Sequence, residues 1–296
     1  MIYLKLLFAM MIWGGTFTSA KMLGAEMDPM ISALFRFMLA SSALLLLVFI
    51  KEGTLPKISQ KQFFALLGMG ATGIAAYNLL FFYGLLHAEA SRGSLITASN
   101  PVLTAVASIV LFKERLTPVR LLGLVLCVFG AFLIISKGDL GILFDKGIGL
   151  GEIAFIGCAF SWAIYTLIGR FISNELSSLV AITYASCFGT VFLLLLALVT
   201  KPAAIFSALT TLNVTISMHL LYLAILATVV GFVWFQEGVK VLGAARAAVF
   251  IYFMPVSAVF IAFFVLDEQL SLVLLTGAAL IISGIYLVNR KPQDSK

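Results

Sequence analysis

Ten apolar stretches follow one another along the chain, and each is bounded by charged residues or by Gly, Pro or Asn. They cover residues 4–23, 31–50, 63–86, 93–112, 119–136, 152–172, 179–199, 214–239, 247–266 and 272–288. A helix that crosses a bilayer needs about 20 predominantly apolar residues. The pattern therefore predicts an all-α integral membrane protein with ten transmembrane helices, whose short connections leave no room for a sizeable soluble domain.

The composition agrees with a lipid bilayer as the environment. Hydrophobic residues make up 62% of the 296 residues and charged residues 11%, whereas soluble domains contain about 45–50% and about 25%. A soluble fold with so few charges would not cover its own surface. Cys127, Cys158 and Cys187 all lie in apolar stretches, without a CxxC pair, so we expect buried, inert thiols and no disulfide framework.

The net charge of +6 does not indicate nucleic acid, because Lys and Arg occur singly or in small groups and form no continuous basic patch. With the amino terminus inside, thirteen of the 19 basic residues fall on the inner side and five on the outer side, and Arg36 lies within a helix. Positively charged connections face the cytoplasm. The distribution therefore predicts a multi-pass protein of the cytoplasmic membrane with both termini in the cytoplasm.

The two halves of the chain share an internal repeat. Gly84, Arg92, Pro101, Glu114, Leu116, Gly123 and Gly130 recur 154 positions later as Gly238, Arg246, Pro255, Glu268, Leu270, Gly277 and Gly284. Trp13 and Trp162 correspond at an offset of 149, which favours a retained first helix over a cleaved signal peptide. Because each unit has five helices, an odd number, we predict that the two repeats are inverted. The predicted units are the first repeat at 1–137, a connecting loop at 138–150, the second repeat at 151–290 and a cytoplasmic tail at 291–296.

Inverted repeats suit alternating access, because two nearly equivalent packings exchange inward-open and outward-open shapes around a midplane site. A channel, a receptor or a membrane enzyme has no similar need for them. The sequence contains no HExxH, Walker lysine loop or carboxylate-rich metal motif. We therefore expect a secondary transporter of a small molecule, without enzymatic activity, direct use of ATP, metal or cofactor. A non-exchanging channel or receptor is the alternative from another class.

Several short sequences carry a resemblance to a known family. They are Trp13-Gly14, Arg36-Phe37, Ser91 to Pro101, Glu114-Arg115-Leu116, Trp162, Trp234, Leu242 to Ala247, Pro255 and Glu268. In order and spacing they resemble the drug/metabolite transporter (DMT) superfamily and, within it, the EamA family of ten-helix carriers. The resemblance implies a carrier of the bacterial cytoplasmic (inner) membrane, often an exporter of amino acids or related metabolites. A nucleotide sugar or another metabolite of the same superfamily is the alternative substrate, and direction and proton coupling stay open.

Aromatic and amide side chains at membrane depth are the expected substrate contacts. An indole or a phenol side chain has a flat apolar surface and one hydrogen-bond donor, which suits an amphipathic metabolite. The predicted substrate-binding residues are Trp13, Thr16, Tyr77, Asn78, Asn100, Trp162, Tyr165, Tyr184 and Trp234. For each residue alone, ordinary helix packing is the alternative. As a group, we expect several of them to line one cavity between the halves, formed mainly by helices one, three, four, six, eight and nine.

Pro101 and Pro255 lie near the middle of the fourth and ninth predicted helices. Each proline removes a backbone donor and clashes with the carbonyl four residues earlier, so each predicts a kink. Their symmetric placement favours a pair of hinges at the cavity, and a static packing kink is the alternative.

Two ionisable residues within the apolar stretches are candidates for charge coupling, since such residues are often functional. Arg36 lies about one and a half turns from the outer end of helix two. Its planar fork suits a carboxylate, and the alternatives are a structural partner or extension toward the outer interface. Glu237 lies three residues before Lys240, which favours a local ion pair, with proton transfer as the alternative.

Gly123 and Gly130 are seven residues apart, as are Gly277 and Gly284. This spacing places each pair on one helix face and predicts close helix packing there. Because such packing occurs within or between subunits, a homodimer stays open.

Overall fold

The computed structural model describes residues 1–88, 93, 96–113, 117–136, 148–257 and 271–290. Within these ranges the secondary structure is helical and contains no strand, which confirms the all-α prediction. Most of the predicted connecting loop and the whole predicted tail lie outside the described residues. The same holds for these residues of the repeat: Arg92, Glu114, Leu116, Glu268 and Leu270.

The main helices follow the order of the apolar stretches. They are α1 (Ile2–Glu26), α2 (Pro29–Glu52), α3 (Gln60–His87), α4 (Asn100–Phe112), α5 (Pro118–Ser136), α6 (Leu150–Ile172), α7 (Ser178–Thr200), α8 (Val214–Leu242), α9 (Ala244–Ser257) and α10 (Leu272–Asn289). A short helix, Pro202–Thr210, lies between α7 and α8. Within the described ranges, α2, α3, α5, α6, α7, α8 and α10 are long and apolar enough to cross a membrane.

Three further apolar helices are shorter: Ile2–Thr16 within α1, α4 and α9. The length and composition of the described helices thus support seven of the ten predicted spans. The predicted fourth and ninth spans include residues that the structure does not describe. In addition, α4 begins only after a turn at residues 98–99.

Local sequence signals set where the helices begin and end. Asp28 precedes α2, and its carboxylate accepts a hydrogen bond from the backbone N–H of Met30 at 3.0 Å. Ser59 begins α3 in a capping box. Gly243 ends α8 with φ of 93°, a conformation that favours glycine, and α9 begins at the next residue. These abrupt ends keep the connections short.

Helices α5 and α10 pack backbone against backbone. A Cβ atom on Gly123 would lie 2.7 Å from the carbonyl oxygen of Gly284, and one on Gly130 would lie 2.6 Å from that of Gly277. So close an approach requires glycine on both helices. The close packing predicted for these four glycines therefore occurs within one chain, and their faces are not free to contact a second subunit.

Two π-helical segments lie at positions that the predicted repeat makes equivalent. Gly70–Ala76 forms such a segment in α3, and Tyr222–Val230 forms one in α8. The offset of 154 carries residues 70–76 onto 224–230. Because π-helical turns are rare and occur frequently at functional sites, α3 and α8 direct attention to the space between them.

Both prolines of the predicted hinges lie next to a change in helix geometry. A turn at residues 98–99 precedes α4, and Pro101 occupies the first turn of that helix, where its missing N–H removes no helical hydrogen bond. The kink predicted at Pro101 is therefore an interruption of the helix. In α9, a 3₁₀ segment at Val249–Tyr252 precedes Pro255.

Candidate functional site

A cavity of about 410 Å³ lies between the two halves of the chain, within the range of about 300–1,000 Å³ that is usual for small-molecule sites. Its lining is Trp13, Gly14, Thr16, Ala20, Leu23, Ser32, Ala33, Arg36, Tyr77, Asn78, Phe81, Phe82, Thr97, Ala98, Asn100, Ala131, Ile135, Trp162, Leu223, Phe232, Ile251, Tyr252, Met254 and Pro255. All six helices expected from the sequence contribute to this lining. The structure adds α2 and α5, which the sequence analysis left out.

Six of the nine predicted substrate-binding residues meet at this cavity. They are Trp13, Thr16, Tyr77, Asn78, Asn100 and Trp162. Arg36 and Pro255 line it as well. These residues come from helices far apart in sequence, so the fold gathers polar and aromatic groups that the sequence disperses.

Aromatic rings form the floor of the cavity. The ring centroids of Trp13 and Trp162 are 5.3 Å apart, and Phe232 lies 5.5 Å from Trp13 and 5.4 Å from Trp162 in edge-to-face contacts. The indole N–H of Trp13 donates a hydrogen bond to the backbone oxygen of Ala227, 2.8 Å away, in the π-helical segment of α8. The contacts fix the three rings as one unit, here called the aromatic floor: Trp13, Trp162 and Phe232.

The space between α1 and α8 is filled on the side of the aromatic floor nearer the amino terminus. Phe235 is fully buried there, with its ring centroid 5.4 Å from that of Trp13. Leu6 packs so tightly on Gly238 that a Cβ atom at that glycine would lie 2.6 Å from the leucine side chain. Beyond them, the Lys5 ammonium and the Glu237 carboxylate form an ion pair at 2.5 Å. The cavity therefore lies in the other half of the bundle, toward the Asp28 end of α2.

Arg36 turns its guanidinium into the cavity rather than out along α2. Its Nε donates a hydrogen bond to the Thr228 hydroxyl at 3.0 Å, and its guanidinium carbon lies 5.0 Å from the ring centroid of Phe37. Among the described residues, no carboxylate lies within ion-pair distance of Arg36. The Arg36 side chain therefore does not extend toward the outer interface, and its structural partner is the Thr228 hydroxyl.

Several polar atoms of the lining have no hydrogen-bond partner among the described residues. They are the Asn100 Oδ1, the Trp162 Nε1 and the Tyr252 hydroxyl, all buried. The amide nitrogen of Asn78 donates to the backbone oxygen of Ile74 at 2.7 Å, which leaves its amide oxygen as an acceptor. A small amphipathic molecule would find the Arg36 cation, the Asn78 amide and flat apolar rings in this cavity.

Two predicted contacts, Tyr165 and Tyr184, lie away from the cavity. Tyr165 is fully buried behind Trp162, with ring centroids 4.9 Å apart, and packs against Gly73 of α3. The Tyr184 hydroxyl donates to the backbone oxygen of Pro56 at 2.7 Å and so fastens α7 to the connection between α2 and α3. Neither tyrosine belongs to the lining of the cavity.

Trp234 and Glu237 also lie outside the cavity lining. Phe232 faces the cavity, and two residues further an α-helix has turned by about 200°, so Trp234 points to another side of α8. Glu237 pairs with Lys5, whereas the Lys240 ammonium lies 3.5 Å from the backbone oxygen of Leu176. The local Glu237–Lys240 pair predicted from the sequence is therefore replaced by a pair between α1 and α8.

Six polar or aromatic residues of the lining were not predicted from the sequence: Ser32, Phe81, Phe82, Thr97, Phe232 and Tyr252. Tyr252 lies three residues before Pro255, so its place near the predicted hinge was a usable signal. Ser32 and Thr97 resemble the many other hydroxyl residues of the chain and carried no such signal. Among the described residues, no group of three or more His, Cys, Asp or Glu is positioned to hold a metal ion.

The sequence matches a family model over both halves. The model describes the EamA-like transporter family and matches residues 1–136 and 149–290. The chain is also similar to an uncharacterized transporter of Archaeoglobus fulgidus, with 31% identity over 98% of this chain and 97% of that protein. A probable terminal-alkyne amino-acid exporter of Streptantibioticus cattleyicolor is 30% identical over 75% of this chain and 71% of its own length.

A solved crystal structure has a similar fold. It covers 97% of this chain and 97% of its own chain, with a TM-score of 0.77 at 18% sequence identity. At this identity the likeness concerns the fold alone.

Proposed function

This chain belongs to the EamA-like transporter family, and we propose that it carries amino acids or similar small metabolites across the cytoplasmic membrane by alternating access, with export as the working direction. The observation that carries the proposal is the cavity, whose lining combines Arg36, two amides and the aromatic floor with contributions from both halves of the chain. The name of the Streptantibioticus relative, a probable amino-acid exporter, supports the substrate class.

In this proposal the chain has ten transmembrane helices in two inverted units, at residues 1–137 and 151–290. The equivalent π-helical segments of α3 and α8 support the repeat. With both termini in the cytoplasm, the aromatic floor and the Lys5–Glu237 pair close the cytoplasmic side. The described arrangement then corresponds to an outward-facing state, and transport requires these contacts to open.

Pro101 and Pro255 are the proposed hinges. Each lies beside a break in regular α-helix, at the start of α4 and within α9, and such breaks localise bending to a few residues. Since both helices contribute to the cavity, a change of angle at these points alters its shape. Tyr77, Asn78, Asn100, Thr16 and Trp162 are the proposed substrate contacts on the surrounding walls.

Counterflow in proteoliposomes tests the proposed function. Vesicles loaded with one unlabelled amino acid at a time receive a trace of the same labelled compound outside. A carrier accumulates label transiently, because labelled molecules enter in exchange for unlabelled molecules that leave. The absence of counterflow with every amino acid would contradict the substrate class, and a conductance without exchange would contradict the carrier itself.

Two tryptophan variants provide a matched pair for this assay. Trp162→Ala removes a ring of the aromatic floor, whereas Trp234→Ala removes a half-buried tryptophan outside the cavity lining. We expect counterflow to fall about tenfold or more in the first variant, since fully buried aromatic anchors contribute about 2 kcal/mol or more to binding. Equal effects of both changes would contradict the assigned cavity.

The proposed topology has its own test. Single cysteines at Lys57 and Lys201, in connections at opposite ends of the bundle, are labelled in whole cells with an impermeant maleimide. We expect labelling at position 201 alone, since the proposal puts Lys57 in the cytoplasm. Labelling of both or neither position would contradict the assigned orientation.

A further inference from the structure

We propose that Arg36 binds the carboxylate of the transported molecule, and that the cavity takes small monocarboxylates with an apolar side group, α-amino acids included. This inference rests on the proposed function and deepens it, because it says which chemical group of the substrate is required. The amino group of an amino acid is then accommodated but not required.

The charge of the cavity favours an anionic ligand. Arg36 is the one residue among the described lining that is charged at neutral pH. The described acidic residues that form ion pairs, Glu237, Glu175 and Asp28, pair with lysines elsewhere in the molecule. A guanidinium at membrane depth without a counter-ion is unfavourable, so an anionic group that enters the cavity and reaches Arg36 is stabilised.

The orientation of the guanidinium suits a carboxylate in particular. Its Nε is occupied by the hydroxyl of Thr228 at 3.0 Å, and that hydroxyl donates in turn to the backbone oxygen of Leu223 at 2.9 Å. Thr228 therefore holds Arg36 in one direction, and the two terminal nitrogens remain for a ligand. Two parallel N–H groups in a rigid plane match the two oxygens of a carboxylate.

The remaining lining fits the rest of such a molecule. Opposite charge for an ammonium group is missing among the described lining residues, and the neutral acceptors there include the amide oxygen of Asn78. The aromatic floor offers an apolar surface to a side chain. Because Arg36 has no acidic counterpart among the lining residues that the structure describes, the carboxylate is the group on which binding depends.

Equilibrium binding to the purified full-length protein in detergent tests the assignment. Three probes of similar shape separate the groups: L-leucine has both charges, 4-methylvalerate has only the carboxylate, and L-leucinamide lacks the carboxylate. We expect leucine and 4-methylvalerate to bind and leucinamide to bind at least tenfold more weakly. Loss of a charge-assisted hydrogen-bonded pair of this kind corresponds to about a tenfold to hundredfold loss of affinity.

Variants connect that preference to one side chain. Arg36→Gln should weaken the binding of leucine and 4-methylvalerate about a hundredfold. Arg36→Lys should weaken it about tenfold, because lysine keeps the positive charge but lacks the planar pair of N–H donors. Arg170→Gln is the matched control, because Arg170 donates to the backbone oxygen of Lys240, away from the cavity. Thr228→Val removes only the orienting hydroxyl, and we expect a severalfold loss that supports the assignment even where Arg36→Gln fails to fold.

The outcomes separate this inference from the function on which it rests. Equal binding of leucine and leucinamide, or unchanged binding in folded Arg36→Gln, would overturn the role of Arg36 while amino-acid counterflow could still stand. Binding of 4-methylvalerate through Arg36 without binding of leucine would support Arg36 and contradict amino acids as substrates. Failure of the wild-type protein to bind either carboxylate would overturn the inference.

Discussion

Trp13 and Trp162 meet across the two halves of the chain with ring centroids 5.3 Å apart and ring planes at 85° to each other. They are equivalent residues of the predicted internal repeat, at an offset of 149 in sequence. Their contact joins α1 and α6 at the edge of the cavity. In the proposed transport cycle, opening of the cavity to the other side of the membrane requires this contact to separate.

Trp13→Phe tests how the aromatic floor is fastened to α8. The change keeps a ring but removes the indole N–H that donates to the backbone oxygen of Ala227 at 2.8 Å. We expect a loss of stability of about 1 kcal/mol, because a buried hydrogen bond is lost and the carbonyl is left without this partner. Thermal unfolding in detergent measures the effect. Trp234→Phe is the control, and an equal loss in both variants would contradict the role of the hydrogen bond.

Exchange of the charges of Lys5 and Glu237 tests the ion pair that, in the proposed function, closes the cytoplasmic side. Each side chain is about one-third exposed or less, so we expect single changes to alter stability by no more than about 1 kcal/mol. Counterflow should respond more strongly, because like charges at this point favour the open form. A bias of about 1 kcal/mol corresponds to about fivefold in the ratio of states.

The double variant provides the decisive comparison for that pair. Lys5→Glu and Glu237→Lys should each change the initial rate of counterflow severalfold, and the two together should restore it. Additive defects in the double variant would contradict a direct interaction between the two residues. A wild-type response to a pH gradient that disappears in Glu237→Gln would instead support Glu237 as a proton carrier.

Gly130→Leu tests the packing of α5 against α10. A Cβ atom at this position would lie 2.6 Å from the carbonyl oxygen of Gly277, so the helices must separate to admit a side chain. We expect a loss of about 1–3 kcal/mol or more, as is typical of overpacked sites. Gly24→Leu is the matched control, since a Cβ atom there meets nothing within 4 Å. Similar unfolding temperatures for the two variants would contradict the close approach.

Pro101→Ala combined with Pro255→Ala tests the proposed hinges. Alanine restores the backbone donor and lets regular helix extend through both breaks. We expect binding of substrate to change less than twofold and turnover in exchange to fall about tenfold, since motions at hinges set the rate of many conformational cycles. Binding by equilibrium titration and exchange by counterflow separate the two effects. Parallel loss of both would indicate a static structural role.

Hydropathy predicted the helices because each of them must satisfy its own backbone within lipid. The same reasoning pointed to Trp13, Tyr77 and Asn78, since a polar or aromatic group in the middle of an apolar stretch stands out from its neighbours. The prediction of Trp234 rested on residue type at membrane depth and not on the face of α8. Phe232, two residues earlier on the same helix, lines the cavity instead.

Partners distant in sequence could not be predicted. Glu237 has a basic residue three positions away, which the sequence displays, but its partner Lys5 is 232 positions away. Tyr184 likewise bonds to Pro56 across 128 positions. These contacts depend on how the helices assemble in three dimensions, and local spacing carries no information about that. The glycine pairs were more informative, because small residues on one face already require a close neighbour.

In the proposed alternating-access cycle, the Lys5–Glu237 end of the bundle must open during each turnover. The most direct measurement is counterflow by a Lys5→Cys/Glu237→Cys protein joined by a short, reducible bis-methanethiosulfonate linker. We predict that the linked protein binds substrate from the cavity side but does not exchange it, and that reduction restores exchange. The two single-cysteine variants treated with the same reagent are the controls. Exchange at the unlinked rate by the fully linked protein would contradict alternating access through this end of the bundle.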